Sequence, residues 1–161
     1  MLKHQWLDQD GDGYGDNATG PQPDACPGEP GTSTVDRYGC IDSDGDGISD
    51  ENDAFPDDAT RSSDIDGDGY DDLEDACMLV NGTSSIDRLG CNDSDGDGYS
   101  DGDGTWSSAD GADAFPDEAT QHADQDSDGF GDNASGFQAD DCPTTPGTSF
   151  RDVFGCEDED N

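Results

Sequence analysis

The sequence predicts a mostly irregular fold: coil and turns with little regular secondary structure, arranged as an elongated repeat rod stapled by disulfides. Three observations predict it. Apolar residues make up only 27% of the 161-residue chain. Gly, Pro and Cys punctuate it too densely for long helices. One acidic string, D-x-D-x-D-G, returns along nearly its whole length. Short extended pieces at STVD and SSID, and one-turn helices after the acidic loops, are the most regular structure expected.

Composition alone would describe a disordered acidic polymer. The formal net charge is −38, with 43 Asp and Glu against five Lys and Arg, and too little apolar surface exists to offset chain entropy. The acids are not in blocks, however. They fall at fixed spacings beside glycines, unlike a solvated tail. Such a charge repels nucleic acid and anionic membrane surfaces and attracts cations. No apolar run approaches the roughly 20 residues that span a bilayer, so no membrane insertion is expected. The start, MLKHQW, lacks an apolar signal-peptide core, and a mature fragment or a piece of a longer secreted protein is expected.

The string begins at Asp8, Asp42, Asp64, Asp93 and Asp124, and Asp158 starts a sixth copy. The intervals, 34, 22, 29, 31 and 34, look irregular. Each full copy has a further Asp two residues before a Cys or a Phe: Asp24, Asp53, Asp75, Asp113 and Asp140. Setting aside the insertions before Asp24, Asp113 and Asp140 leaves alternating units of 29 and 22 residues. The predicted organisation is a lead (1–7), repeats 8–41, 42–63, 64–92, 93–123 and 124–157, and a truncated repeat, 158–161. Repeats one, three and five carry a cysteine loop, whereas two and four carry AFPDDAT or AFPDEAT. The insertions, rich in Gly, Ser and Pro, are expected as surface loops.

In the second loop Asp42, Asp44, Asp46, Asp50 and Asp53 hold positions 1, 3, 5, 9 and 12, with Gly47 at position 6 and Ile48 offering a carbonyl at position 7. This is the ligand spacing of an EF-hand calcium loop, in which alternate side chains converge on a cation as the backbone curls. The third loop repeats it with Asp64, Asp66, Asp68, Asp72, Asp75 and Tyr70. The first has Asp8, Asp10, Asp12, Asp16 and Tyr14, and reaches Asp24 across its insertion. The fourth has Asp93, Asp95, Asp97, Asp101, Tyr99 and Asp113. The fifth has Asp124, Asp126, Asp128, Asp132, Phe130 and Asp140. Asp158 and Asp160 open the sixth. One such string is also a common acidic turn; five in a periodic frame point to metal.

All these donors are hard oxygens, which suit Ca²⁺ better than Mg²⁺, and zinc would want His or thiolate. The histidines, His4 and His122, have no partner at ligand spacing. The last ligand is Asp rather than the longer Glu, so extracellular-type affinities of roughly 10⁻⁴ to 10⁻³ M are expected in the looser loops. Asp57, Asp58, Asp71, Asp117, Glu118 and Asp141 lie just outside the loops and serve either a second ion per unit or solubility. Amphipathic helices flanking the loops, which a paired EF-hand requires, are missing.

Six cysteines permit fifteen pairings. One cassette recurs three times, as CPGEPGTSTVDRYGC, CMLVNGTSSIDRLGC and CPTTPGTSFRDVFGC. That recurrence favours the local pairs Cys26–Cys40, Cys77–Cys91 and Cys142–Cys156, hence an oxidising compartment. Phe55 and Phe115 replace the cysteine as small apolar plugs, and Tyr38, Leu89 and Phe154 should form similar clusters. Trp106, in the longest insertion, is expected to be exposed and is the natural contact for a partner. N-x-[ST] sequons at Asn17, Asn81, Asn92 and Asn133 are candidate N-glycan acceptors. No His lies in a motif that would activate a nucleophile, and enzymatic activity is not expected.

DSDGDGISDENDAFPDDAT and DQDGDGYGDN…DACP resemble thrombospondin type 3 repeats, in the variants found in bacterial and archaeal surface proteins. The resemblance covers about residues 8–160. It implies many Ca²⁺ ions wrapped along an elongated, irregular chain, with ligands at positions 1, 3, 5, 9 and 12 and a carbonyl at position 7. The insertions after Asp16, Asp101 and Asp132 depart from the compact pattern. A spacer, stalk or fibre-forming repeat at the cell surface is the expected function, with calcium, flanking domains or a head-to-tail copy as partners. An adhesion module recognising a glycan or protein, and a calcium buffer without fixed shape, are the alternatives.

Overall fold

A computed structural model describes residues 7–158. His4 and Asp160 lie outside them, so of the sixth loop only Asp158 is described. The chain divides into two compact units, Met1–Asp64 and Ile65–Asn161. Among the described residues there is no helix, and strand pairing is confined to isolated parallel bridges at Gly15↔Pro23, Asp101↔Asp113 and Gly131↔Ala139. The fold is irregular and disulfide-bridged, as expected.

The one-turn helices are not present, and the second loop shows why. The Asn52 and Asp53 amides both return to the Ser49 carbonyl, at 2.8 and 3.0 Å. The Asp53 carboxylate then takes the Phe55 amide at 2.8 Å, just before Pro56, and a proline disfavours helical backbone in the residue ahead of it. STVD and SSID are not strands either. The amides of Thr34 and Val35 converge on one carbonyl, that of Gly47, at 2.8 Å each.

The interior is polar. Ser33, Ser49, Ser84, Ser100 and Gln121 are at most 1% exposed, whereas the buried apolar side chains among the described residues are Cys40, Cys91, Cys156 and Ala112. Buried polar groups need partners, and these have them. The Ser33 hydroxyl donates to the Arg37 carbonyl and accepts the Cys40 amide at 3.0 Å. Ser84 repeats this with Arg88 and with the Cys91 amide at 3.1 Å. The disulfides Cys26–Cys40, Cys77–Cys91 and Cys142–Cys156 form as the cassettes predicted, each across a separation of 14 residues. Each closes a loop worth about 3 kcal/mol of unfolded-state entropy.

Cassettes dock on the following loop. In the first unit the Asp36 carboxylate receives the Ser49 amide at 2.9 Å, its hydroxyl at 2.7 Å and the Asn52 amide group at 2.6 Å. In the second unit Asp87 receives Ser100 at 2.9 and 2.7 Å, and the Ser85 and Ile86 amides meet the Gly98 carbonyl at 2.9 and 3.0 Å. Gly47 must be glycine at this junction. Its φ is +101°, and a Cβ would stand 2.8 Å from Thr34 Oγ1.

The aromatic clusters follow expectation at two cassettes, where Tyr14 meets Tyr38 at 5.8 Å and Phe130 meets Phe154 at 5.9 Å between centroids. Phe55 is half-buried beneath the Arg61 guanidinium, 4.1 Å from the ring centre. Trp106 corrects its expectation, being half-buried rather than exposed. The insertion folds back through Asp103, whose carboxylate takes the Thr105 and Trp106 amides at 2.6 and 2.8 Å. Arg88 bonds Asp103 at 2.9 Å and lies over the indole at 5.5 Å.

Position 4 of the first four loops is a glycine with φ between +79° and +85°. The fifth loop has Ser127 there, at φ 64°. A side chain in this left-handed region costs roughly 1–2 kcal/mol. Ser127→Gly should therefore stabilise the chain by about 1 kcal/mol, read as a higher midpoint in calcium-saturated chemical denaturation.

Candidate metal centres

The loop backbone curls because aspartates early in the loop hold amides ahead of them. In the second loop Asp42 takes the Gly45 amide on one oxygen at 2.8 Å and the Gly47 amide on the other at 3.1 Å. Asp44 takes the Asp46 amide at 3.1 Å, and Asp46 takes the Ile48 amide at 2.7 Å. Asp8, Asp93 and Asp124 make the corresponding pair of bonds at position 1. The amides of Tyr14, Tyr70, Tyr99 and Phe130 are likewise held by the aspartate two residues back. Carboxylate oxygens of positions 1, 3 and 5 thereby gather within 4.8 Å of one another in all five loops: Asp8, Asp10, Asp12; Asp42, Asp44, Asp46; Asp64, Asp66, Asp68; Asp93, Asp95, Asp97; and Asp124, Asp126, Asp128.

Position 12 is brought back beside its loop despite the insertions, by one recurrent bond. Its amide donates to the carbonyl of position 8: Asp24 to Gly15 at 3.0 Å, Asp53 to Ser49 at 3.0 Å, Asp75 to Asp71 at 2.9 Å, Asp113 to Ser100 at 2.9 Å and Asp140 to Gly131 at 2.8 Å. An insertion leaves after position 9 and returns to this bond. The position-12 carboxylate then takes the amide two residues on, that of Cys26, Phe55, Cys77, Phe115 or Cys142, at 2.6–2.8 Å. The cassette closes over it. A Cβ on Gly90 would lie 2.3 Å from Asp75 Oδ1 and 2.9 Å from Asp68 Oδ2. Gly39 sits equally close to Asp24 and Asp12, and Gly155 to Asp140.

Position 9 is differently placed. Asp16, Asp50, Asp72, Asp101 and Asp132 each accept the amide of position 2. Ser43 and Ser94 add hydroxyl bonds to Asp50 and Asp101 at 2.6 Å each. In those loops both carboxylate oxygens are engaged, so position 9 meets a cation only by sharing an oxygen or through water. The acids outside the loops largely serve turns. Asp58 holds Thr60 and Arg61, Glu118 holds the Thr120 hydroxyl and Asp141 the Phe154 amide, while Asp71, which proves to be position 8 of the third loop, holds the Leu73 amide.

Two kinds of carboxylate result, one exposed and held by donors, the other buried beside the loops. Burial works to raise Asp36, but hydrogen bonds from Ser49, Asn52 and the Arg37 backbone outweigh it and hold the group below the usual carboxylate range. Asp24, Asp113 and Asp140 are 5–6% exposed, and Oδ2 of each has no hydrogen-bond partner. Oδ2 of Asp10 and Asp44 is in the same state. Burial first, then neighbouring loop aspartates, raise Asp24, Asp53 and Asp140. Burial, with Asp97, Asp95 and Asp101 adding to it, pushes Asp113 up to about 6. Buried anions lacking donors are costly, and a cation supplies what they lack. The residues fit a hard, oxygen-seeking ion. These repeated triplets can hold metal and, with the disulfides, are compatible with a calcium-binding extracellular repeat.

Gly90→Ala should press a methyl group against Asp75 and force a left-handed residue to carry a side chain. Metal affinity at the third loop should fall by about tenfold or more, from roughly 1–3 kcal/mol of strain, read by calorimetric titration beside Gly104→Ala, which meets open space. For Asp113 the folded pKa exceeds the unfolded one, so its protonated form favours the metal-free fold, and that contribution is lost as pH rises from about 4 through about 6. Metal must displace this proton. Affinity at the fourth loop should fall about tenfold from pH 7 to pH 5 by one-proton linkage, with proton release on binding near pH 6, read by titration in buffers of different ionisation enthalpy. Comparison with known proteins finds no matching family model and no matching curated sequence.

Proposed function

We propose that this chain is an extracellular calcium-binding structural repeat, of the kind that thrombospondin type 3 repeats represent, and that it serves as a calcium-rigidified spacer or stalk. One observation carries the reading: Asp24, Asp113 and Asp140 are buried beside the loop triads with an oxygen that no protein donor reaches. Calcium fits better than magnesium because the donors are carboxylates on a curled backbone, able to supply six or more oxygens, whereas Mg²⁺ keeps its waters. At least about one ion per full loop follows from the five triads. Disulfides fit an oxidising compartment, and no helix among the described residues is long and apolar enough to cross a membrane. A structural role rather than catalysis accounts for the carboxylates, which are spent on shaping loops. The adhesion alternative loses its named anchor, since Trp106 is packed under Arg88.

Chelation should expand the chain and change its circular dichroism, because the ligands repel one another without metal. Calcium should restore both, and equimolar magnesium should not. A chelated chain of unchanged hydrodynamic radius and spectrum would overturn the proposal.

A further inference from the structure

We propose that Asn17 is the N-glycan acceptor of this chain, selected from its four sequons by what the fold leaves free. The proposal rests on the extracellular reading above, because the chain must meet an oligosaccharyltransferase and its lipid-linked sugar donor. Transfer forms a bond between Asn Nδ2 and the sugar C1 and breaks the bond from C1 to the lipid pyrophosphate. Nδ2 gives up a proton and the polyprenyl pyrophosphate leaves. The product carries a bulky group on the nitrogen, so a site is compatible with the fold only where that nitrogen is neither buried nor needed as a donor.

Three of the four nitrogens already donate a hydrogen bond. Asn133 Nδ2 donates to the Thr120 carbonyl at 2.8 Å. This bond belongs to a lock in which Gln121, 1% exposed, accepts the Asn133 amide at 2.9 Å and donates to the Asn133 and Phe137 carbonyls at 3.2 and 3.1 Å. A sugar there would prise the insertion from the preceding segment. Asn92 Nδ2 donates to the Asp101 carboxylate and to Ser94 Oγ, so a sugar there would disturb a loop carboxylate. Asn81 Nδ2 makes one long bond, 3.3 Å, to the Asp66 carbonyl.

Asn17 differs. Like the other three it is exposed, but its Nδ2 has no partner among the described residues. Its Oδ1 accepts the Thr19 amide at 3.1 Å and the Thr19 hydroxyl at 2.9 Å. These bonds fix the side chain in an Asx turn, draw electron density toward the carbonyl and present Nδ2 outward. The Gly20 amide closes the turn on the Asn17 carbonyl at 2.8 Å. Asn17 and Asn133 occupy equivalent places in two insertions, so the selection comes from Gln121 and Thr120, not from the sequon.

The test is secretion of the full chain from cells with an N-glycosylation pathway, followed by glycosidase release in heavy-oxygen water and peptide mass spectrometry at each sequon. Occupancy at Asn17 should exceed that at Asn92 and Asn133 several-fold, with Asn81 between them. Asn17→Gln should remove most of the glycan mass without changing the calcium-dependent spectrum. Gln121→Ala, which opens the lock, should raise occupancy at Asn133. A bare Asn17, or occupancy at Asn92 or Asn133 equal to it, would overturn the proposal. Loss of calcium dependence in the unmodified chain would instead count against the calcium reading alone.

Discussion

Everything in this chain answers to one constraint, the crowding of carboxylates. Triads whose oxygens lie within 4.8 Å of one another recur five times. Each pair of like charges at such a distance costs about 1 kcal/mol in water and about 4 kcal/mol near a protein surface. The fold cannot relieve this by pairing, since five Lys and Arg face 43 acids. It uses amides instead. Asp10, Asp44, Asp24, Asp113 and Asp140 each turn one oxygen toward a backbone N–H, which shapes the loop, and leave the other without a donor. An inward oxygen without a donor is a demand for a cation.

The disulfide cassettes are part of the same device. Cys26, Cys77 and Cys142 donate their amides to the last loop aspartate, and the glycine before the second cysteine lies directly against that aspartate or its triad. A covalent staple, a left-handed glycine and a ligand carboxylate thus share one volume. The cassette's own aspartate, Asp36 or Asp87, reaches forward to the serine of the next loop. Within each unit a cassette is thus tied to the loop that follows it, in an interior where serines replace leucines. In a chain with 27% apolar residues, such directional bonds take over the specifying role that close apolar packing has elsewhere.

Disulfides and a polar interior also explain why the surface carries scattered apolar side chains without an apolar core beneath. Leu73 is 93% exposed and Leu79 73%. Both lie away from the buried positions, where disulfide loop closure and hydrogen-bonded serines stand in place of apolar area removed from water.

The sequence by itself determined the irregular fold class, the three disulfides and the five aspartate triads. These are local, set within a span of one loop or one cassette, and spacing alone encodes them. It also named Asp24, Asp113 and Asp140, although nothing in the linear order shows how an insertion returns to its loop. That was decided by the bond from each of these amides to the position-8 carbonyl, a contact between backbone atoms that any residue could make and that leaves no compositional trace. Asp36, Asp87 and Gln121 were equally silent, because an acid or amide in a connection looks like surface polarity until its partner is placed opposite it. Trp106 was misjudged for the same reason: Arg88, eighteen residues earlier, lies over its ring only once the chain has folded. Local spacing fixes which atoms can hold a cation, and tertiary contact decides which of them are left needing one.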